Sequence, residues 1–296
     1  MWPLLAALQL AVPPRDTAVL LVRVLDVSDA RIGGDAILIT DSGPGRARHV
    51  LLDASDHGAT VVAWLRRFHV DTLAALILSH PHADHYGGME EVLAAVPVSR
   101  FVYGGTPRTA VTYRRLLAGI AERGIPTLTA DSGLRRLTLV TARDTITLEL
   151  LAPPPACRAL TDGSGDAVND CSLGVRLVRG AFRMLLPGDA EQPEQGWWLA
   201  QFPGALRADV LKAAHHGSDN GTDPALLDAV QPRAVLISAN GRQHPFADVL
   251  ALLATRGVPA YCTADQGTLT VRVPAGGAWQ ISTERTGSCH PRTTAH

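Results

Sequence analysis

The stretch Ser79-His80-Pro81-His82-Ala83-Asp84-His85-Tyr86-Gly87-Gly88 puts three imidazoles and one carboxylate within six positions. Imidazole nitrogen and carboxylate oxygen are the donors that hold zinc, manganese or iron. Their density here points to a metal site rather than to a polar loop with surface histidines. On an extended chain, side chains two apart point the same way, so His80 and His82 can grip one ion together. Pro81 disfavours a helical conformation at His80 and supports that geometry. Asp84 and His85 follow at a turn and project elsewhere, towards a second ion. Gly87 and Gly88 leave room for close backbone approach before the next helix. Further along, His244-Pro245 precedes a helical pattern whose N-terminus would welcome an anion. That makes His244 a candidate general acid or phosphate contact, with a surface turn histidine as the alternative.

The elements that must position these groups read as follows. Ala18–Val27, Ala36–Thr40 and His49–Asp53 are short, rich in Val, Leu and Ile, and bounded by Gly, Pro, Ser or Asp, as strands are. His57–His69 carries Val61, Val62, Leu65 and Phe68 at helical spacing. The continuous apolar run Leu73–Ser79 then reads as a strand buried on both faces, delivering the histidines at its end. Helices are expected around Met89–Ala95, Thr109–Arg123, Ala190–Gln201, Asp223–Val230 and Phe246–Arg256. Strands are expected near Leu137–Val140, Thr145–Leu151, Ser172–Leu177, Arg183–Leu186, Asp209–Ala213, Ala234–Ser238 and Thr268–Val273. Hairpins first and alternating units later fit an α/β (α+β) fold of two mixed sheets with helices on the outer faces. We expect an N-terminal segment over residues 1–17, one domain over 18–282, and a polar tail over 283–296 that frays.

The HxHxDH string resembles the hallmark of the metallo-β-lactamase superfamily, and other segments follow in that family's order. Leu25-Asp26-Val27 with Gly34-Asp35-Ala36-Ile37-Leu38-Ile39 resembles the entry strands of its ComEC/Rec2-like branch, with a longer turn at Ser28–Gly33 than is usual there. Leu51-Leu52-Asp53-Ala54, Asn169-Asp170-Cys171-Ser172-Leu173, Leu185-Leu186-Pro187-Gly188-Asp189, Leu211-Lys212-Ala213-Ala214-His215-His216-Gly217-Ser218, and Ile237-Ser238-Ala239-Asn240 with His244-Pro245 match its later motifs. The resemblance covers about residues 20–275. It implies a four-layer αββα sandwich and two divalent ions, Zn2+ or Mn2+, activating a bridging hydroxide. His80 and His82 would bind the first ion. Asp84, His85 and one of His215 and His216 would bind the second, and Asp189 would bridge them. Two ions roughly 3.5–4 Å apart can also stabilise in-line displacement at phosphorus.

Residue by residue, some choices stay open. Neighbours at a strand end point in opposite directions, so His216 is favoured as ligand and His215 as substrate contact or proton donor, with the reverse retained. Asp189 would otherwise be a helix N-cap. Asn169 stands where classical members carry histidine; an amide is a poor zinc ligand, so the first ion would be loosely held, prefer manganese, or take Asp170. Asp53 is expected to orient a ligand from behind, and Asp35 to support the same loops.

Composition bounds the substrate only weakly. A formal net charge of −1 gives no global pull towards nucleic acid or anionic membrane, and Lys212 is the only lysine. Between Arg100 and Asp144 lie eight arginines against Glu122, Asp131 and Asp144, which could track a phosphate backbone or simply solvate a helix face. The order of Cys157, Cys171, Cys262 and Cys289 allows two sequential disulfides or four free thiols. The apolar run Leu4–Val12 is too short to span a membrane and leaves export and cytoplasmic residence evenly balanced. No integral membrane segment is expected.

The favoured activity is phosphodiesterase or nuclease action on a phosphoester, with single-stranded DNA as one candidate. Hydrolysis of a small lactone, thioester or amide is the alternative, although Asn169 and Asp189 both depart from true β-lactamases. A catalytically silent metal-binding scaffold is a third reading, opposed by the intact ligand set.

Overall fold

The computed structural model describes residues 19–29, 34–42, 47–140, 145–160, 165–275 and 278–292. The first half of the chain runs β1 (Val19–Val24), β2 (Ile37–Asp41), β3 (Arg48–Leu52), α1 (Gly58–Arg67), β4 (Ala75–Leu78), α2 (Ala83–Tyr86), α3 (Met89–Ala95), β5 (Phe101–Tyr103), α4 (Val111–Glu122) and β6 (Thr127–Thr129). After it come β7 (Leu134–Val140), β8 (Thr145–Leu151), α5 (Gly165–Asn169), β9 (Gly174–Arg179), β10 (Phe182–Leu186), α6 (Gln192–Gln201), β11 (Val210–Lys212) and α7 (Pro224–Val230). The chain continues through β12 (Ala234–Ile237), α8 (Ala247–Thr255), β13 (Ala260–Cys262), α9 (Thr263–Gln266), β14 (Leu269–Pro274) and β15 (Gln280–Thr283). One sheet has eight strands in the order β15-β14-β1-β2-β3-β4-β5-β6, and the other has seven in the order β13-β12-β11-β10-β9-β8-β7.

Alternation along the strands explains why these sheets stack. On β2, Ile37 and Ile39 point inward while Leu38 points outward; on β4, Ile77 points inward while Leu76 and Leu78 point outward. The inward set meets Ile146, Leu148, Leu150, Val175, Leu177 and Met184 from the second sheet. The outward set of the first sheet packs on Val61 and Leu65 of α1, Val92 of α3 and Leu116 of α4. Leu185, Leu211 and Val235 do the same for the second sheet, against Trp198, Leu227 and Leu253. Burying such a side chain stabilises the fold by about 1.5–3 kcal/mol each. Strands covered on both faces must be apolar throughout, which is why β4 and β12 read as unbroken runs. The layers are thus helix, sheet, sheet, helix, as expected.

Both sheets are antiparallel on one side and parallel on the other. β3, β4, β5 and β6 are successive parallel neighbours in the first sheet, and β10, β11, β12 and β13 in the second. Loops leaving the carboxyl ends of β3, β4, β10, β11 and β12 supply Asp53, residues 79–85, Asp189, His215 with His216, and Ser238. Asp35 joins them because β2 is antiparallel to β3, Ile37 pairing with Leu52.

Several sequence expectations needed correction. The three-residue strands β5, β6 and β13 and the strand β15 were not anticipated; each is too short or too polar to show a period. Asp84 and His85 lie in the helical turn α2 rather than in an open turn. The tail does not fray over residues 284–292. A Cys262–Cys289 disulfide ties it down, Arg292 donates to Asp265 Oδ1 (2.8 Å), and the Arg292 N–H donates to the Pro245 carbonyl (3.0 Å). Cys157 pairs with Cys171, so both sequential disulfides form. The 1–17 segment with its Leu4–Val12 run, Arg143, and residues 30–33 of the early turn lie outside the described residues. Among the described residues, no helix is long and apolar enough to cross a membrane.

Candidate metal centre

Asp53 anchors the site from below. It is fully buried, with φ of 58°, and its Oδ1 accepts from the Ser79 N–H (2.8 Å) while Oδ2 accepts from Ser79 Oγ (2.7 Å). The same Oδ2 lies 2.9 Å from Nδ1 of His85. A carboxylate on Nδ1 fixes the ring and turns Nε2 outward. Nε2 of His85 meets Asp189 Oδ2 at 3.1 Å and Asp84 Oδ2 at 3.8 Å.

The second sheet contributes a similar arrangement. His216 points Nδ1 at the Ser238 carbonyl (3.0 Å) and at Asp35 Oδ1 (3.4 Å), which leaves Nε2 facing Asp189 Oδ2 (3.1 Å) and Asp84 Oδ2 (3.6 Å). Donor atoms of Asp84, His85, Asp189 and His216 all lie within 4.8 Å of one another. His80 Nε2 stands 3.9 Å from the same Asp189 oxygen and 3.0 Å from His82 Nδ1. One carboxylate oxygen therefore sits between the His80–His82 pair and the Asp84–His85–His216 group.

His215 faces away, with Nδ1 3.2 Å from Glu191 Oε1 and 3.0 Å from Asn220 Oδ1. Strand alternation is not the cause. Both histidines occupy a tight turn over residues 214–217 in the left-handed region, with φ of 46° and 53°. His244 completes the rim, its ring centroid 5.5 Å from His215 and stacked on Phe246 at 5.0 Å. Asn169 donates through Nδ2 to Glu191 Oε1 (2.8 Å). Asp170 turns to other work: its Oδ1 accepts from the N–H groups of Glu191 and Glu194 at the start of α6. Its carboxylate caps a helix, which corrects its place as a further ligand.

Two glycines make the close approaches possible. A Cβ on Gly34, where φ is 88°, would overlap the Asp84 backbone, and one on Gly88 would strike the Ala54 carbonyl and Gly58.

Sequence reasoning gave no role to Lys212. It is fully buried, and its Nζ lies 2.5 Å from Asp35 Oδ2 and 3.5 Å from Asp189 Oδ1, and donates to the Gly188 carbonyl at 3.2 Å. Its being the sole lysine, two residues after a buried strand began, was the available signal. Glu191 was also missed, although it stands only two residues beyond Asp189. Of the arginines between 100 and 143, Arg115 pairs with Glu90 and Arg136 with Glu149. Those among the described residues are spread over α4, β7 and the loops beside them.

The electrostatics of the cluster follow from burial and charge together. Burial disfavours a charge on His85, but Asp189, Asp84 and Asp53 outweigh it and hold the pKa well above the usual histidine value. His216 is raised likewise, burial again being overcome, chiefly by Asp189. Burial and the charge on His85 push His80 well below the ordinary value. Burial works to raise Asp189, yet His216, His85 and Lys212 bring it far below the carboxylate range. Burial, with the His216 and His215 charges, pushes His244 down to about 3.

Two protonated imidazoles and one ammonium thus balance the carboxylates where a divalent cation would otherwise do so. Oδ1 of Asn169 is buried with no hydrogen-bond partner, and Nε2 of His216 faces only the carboxylates of Asp189 and Asp84. An orphaned buried acceptor beside converging nitrogen and carboxylate donors fits a divalent cation.

Comparisons with known proteins bear on the family and the fold. The family model described as Metallo-beta-lactamase superfamily matches residues 30–152. "ComE operon protein 3" of Bacillus subtilis is 29% identical over 209 residues, covering 69% of this chain and 25% of that protein. "Competence protein ComA" of Neisseria gonorrhoeae is 27% identical over 255 residues, covering 82% and 33%. The chain therefore spans about a quarter to a third of the length of these relatives. CmlA, a diiron β-hydroxylase from Streptomyces venezuelae, superposes with a TM-score of 0.50 at 15% identity, covering 88% of this chain and 55% of that one. That is a likeness of fold.

Proposed function

This chain belongs to the metallo-β-lactamase superfamily, in its ComEC/Rec2-like branch, and on that premise we propose that it is a two-metal hydrolase of phosphoester bonds. The observation that carries the proposal is the convergence of His80, His85 and His216 on one oxygen of Asp189, at 3.9, 3.1 and 3.1 Å. An oxygen shared in that way suits a carboxylate that bridges two ions, with His80 and His82 on one side and Asp84, His85 and His216 on the other. When bound, zinc or manganese supplies Lewis-acid polarisation of a phosphoryl oxygen and lowers the pKa of water.

The chain's own residues do the rest. Asp53 and Asp35, with the Ser238 carbonyl, hold the His85 and His216 rings in one orientation, so their Nε2 atoms need no reorganisation. Lys212 fixes Asp189 through its second oxygen. Glu191 orients His215, which is part-exposed at the rim and available to exchange a proton with a leaving group. His244 is neutral at pH 7 and serves as a hydrogen-bond contact to substrate rather than as a charged acid. Single-stranded DNA is the macromolecular substrate we favour, in keeping with the competence proteins it resembles.

The test is hydrolysis of bis(p-nitrophenyl) phosphate and of labelled single-stranded DNA by metal-free protein reconstituted with zinc or manganese. A variant carrying His82→Ala and Asp84→Ala runs alongside. Metal-dependent cleavage lost in the variant is expected. Two bound ions with neither substrate cut would overturn the phosphoester reading and turn attention to lactones and thioesters. Failure to bind metal would overturn the whole proposal.

A further inference from the structure

Arg108 lies on the loop between β5 and α4, and nothing in the metal cluster described above uses it. β4 and β5 are parallel, Leu78 pairing with Tyr103, so the segments that follow them leave the same edge of the sheet side by side. One segment carries His80 and His82, and the other carries Thr106 and Arg108. Thr106 is 3% exposed and lines a small cavity with Ser79, His80, Pro81 and Tyr113. The Tyr113 hydroxyl donates to the Thr106 carbonyl (3.2 Å), which pins the loop in place.

Within this pinned loop, three polar atoms have no partner: Thr106 Oγ1, Arg108 Nε and Arg108 Nη1. All three are enclosed away from water. Desolvating guanidinium donors with nothing to accept from them is unfavourable, and folded proteins rarely leave such donors unfilled unless a ligand fills them. Thr106, two residues before Arg108, lines the same small cavity as His80, which sets this loop beside the first-ion histidines. A guanidinium keeps its charge at any working pH, and its unfilled Nε–H and Nη1–H donors suit the oxygens of a phosphate.

We infer that Arg108, assisted by the Thr106 hydroxyl, is the oxyanion-binding subsite of this centre and takes the non-bridging oxygens of a phosphoryl group. The inference deepens the phosphoester reading and rests on it for the identity of the anion. It predicts that the site prefers anionic substrates over neutral esters of the same leaving group, because only the former fill the empty donors.

The experiment uses the metal-loaded protein and inorganic phosphate as the probe. Calorimetric titration compares wild type with Arg108→Met, Arg108→Lys and the near-isosteric Thr106→Val. Arg108→Met is expected to weaken phosphate binding about 10- to 100-fold, the range set by loss of a charge-assisted pair. Arg108→Lys should recover part of the loss, and Thr106→Val should weaken binding by a smaller factor. Metal content should not change. The melting temperature of Arg108→Met without phosphate should stay level or rise, because an unfilled buried charge has been removed; a structural arginine would lower it. With turnover substrates, Arg108→Met should lower kcat/KM for bis(p-nitrophenyl) phosphate while leaving p-nitrophenyl acetate unaffected. Equal phosphate affinity in wild type and Arg108→Met, or no phosphate binding by wild type, would overturn the inference. Arg108-dependent phosphate binding without diester cleavage would instead uphold the subsite and defeat the phosphoester reading.

Discussion

Replacing Lys212 by Met separates the charge balance of the site from its packing. The side chain is fully buried, and its ammonium lies 2.5 Å from Asp35 and 3.5 Å from Asp189. Methionine fills nearly the same volume, so the cavity term is small and the lost charge dominates. Removing one partner from a buried ion pair costs about 3–5 kcal/mol, because the other is left uncompensated. At about 2–4 °C per kcal/mol for a large domain, metal-free Lys212→Met should melt roughly 10 °C below wild type. A divalent ion seated among the same carboxylates restores positive charge, so the deficit should shrink markedly in the metal-loaded protein. Thermal melts of both proteins, with and without zinc or manganese, read this directly. A metal-free variant as stable as wild type would refute the charge-balance argument. A deficit that metal leaves untouched would show that Lys212 supports the fold but not the site.

Two further predictions concern the same cluster. Asp53→Asn keeps the shape but weakens the contact on His85 Nδ1, and metal affinity should fall about 10- to 100-fold, measured by competition with a chromogenic chelator; unchanged affinity would mean that His85 is oriented by other groups. The pH dependence follows from the direction of the shifts. His85 and His216 have folded pKa values above the unfolded one, so their contribution to metal-free stability is complete below about pH 6.5 and is lost as pH rises through the raised values. Metal must displace those protons, so its affinity should climb over that upper range with proton release, visible by calorimetry in buffers of different ionisation enthalpy. Constant affinity without proton release would contradict the assignment.

How much of this could be read from the chain depends on how local each signal is. His80, His82, Asp84 and His85 share one short stretch, and the buried strand before them announces itself by composition alone. Asp189 and His216 were readable because each follows an apolar run at a strand end. The partners of Lys212 are Asp35 and Asp189, one of them in a distant hairpin, and no spacing rule links them. Arg108 was visible only as one of eight arginines; that its Nε and Nη1 are buried without a partner is a property of the folded loop. His216 lies in the donor cluster and His215 outside it, and a left-handed turn, not strand alternation, separates the two. Asp170 was misjudged because capping and metal ligation call on the same residue type.

The order of strands in the first sheet has a consequence for synthesis. β1 pairs on its outer side with β14, Val22 lying opposite Val271, so β1 waits for a strand made long after it. A chain interrupted before residue 269 presents β1 with an open row of amide and carbonyl groups and an apolar inner face. Such an edge recruits strands from other chains. Truncation from the carboxyl end should therefore yield aggregates rather than a smaller soluble hydrolase, even though every residue of the metal cluster would still be present.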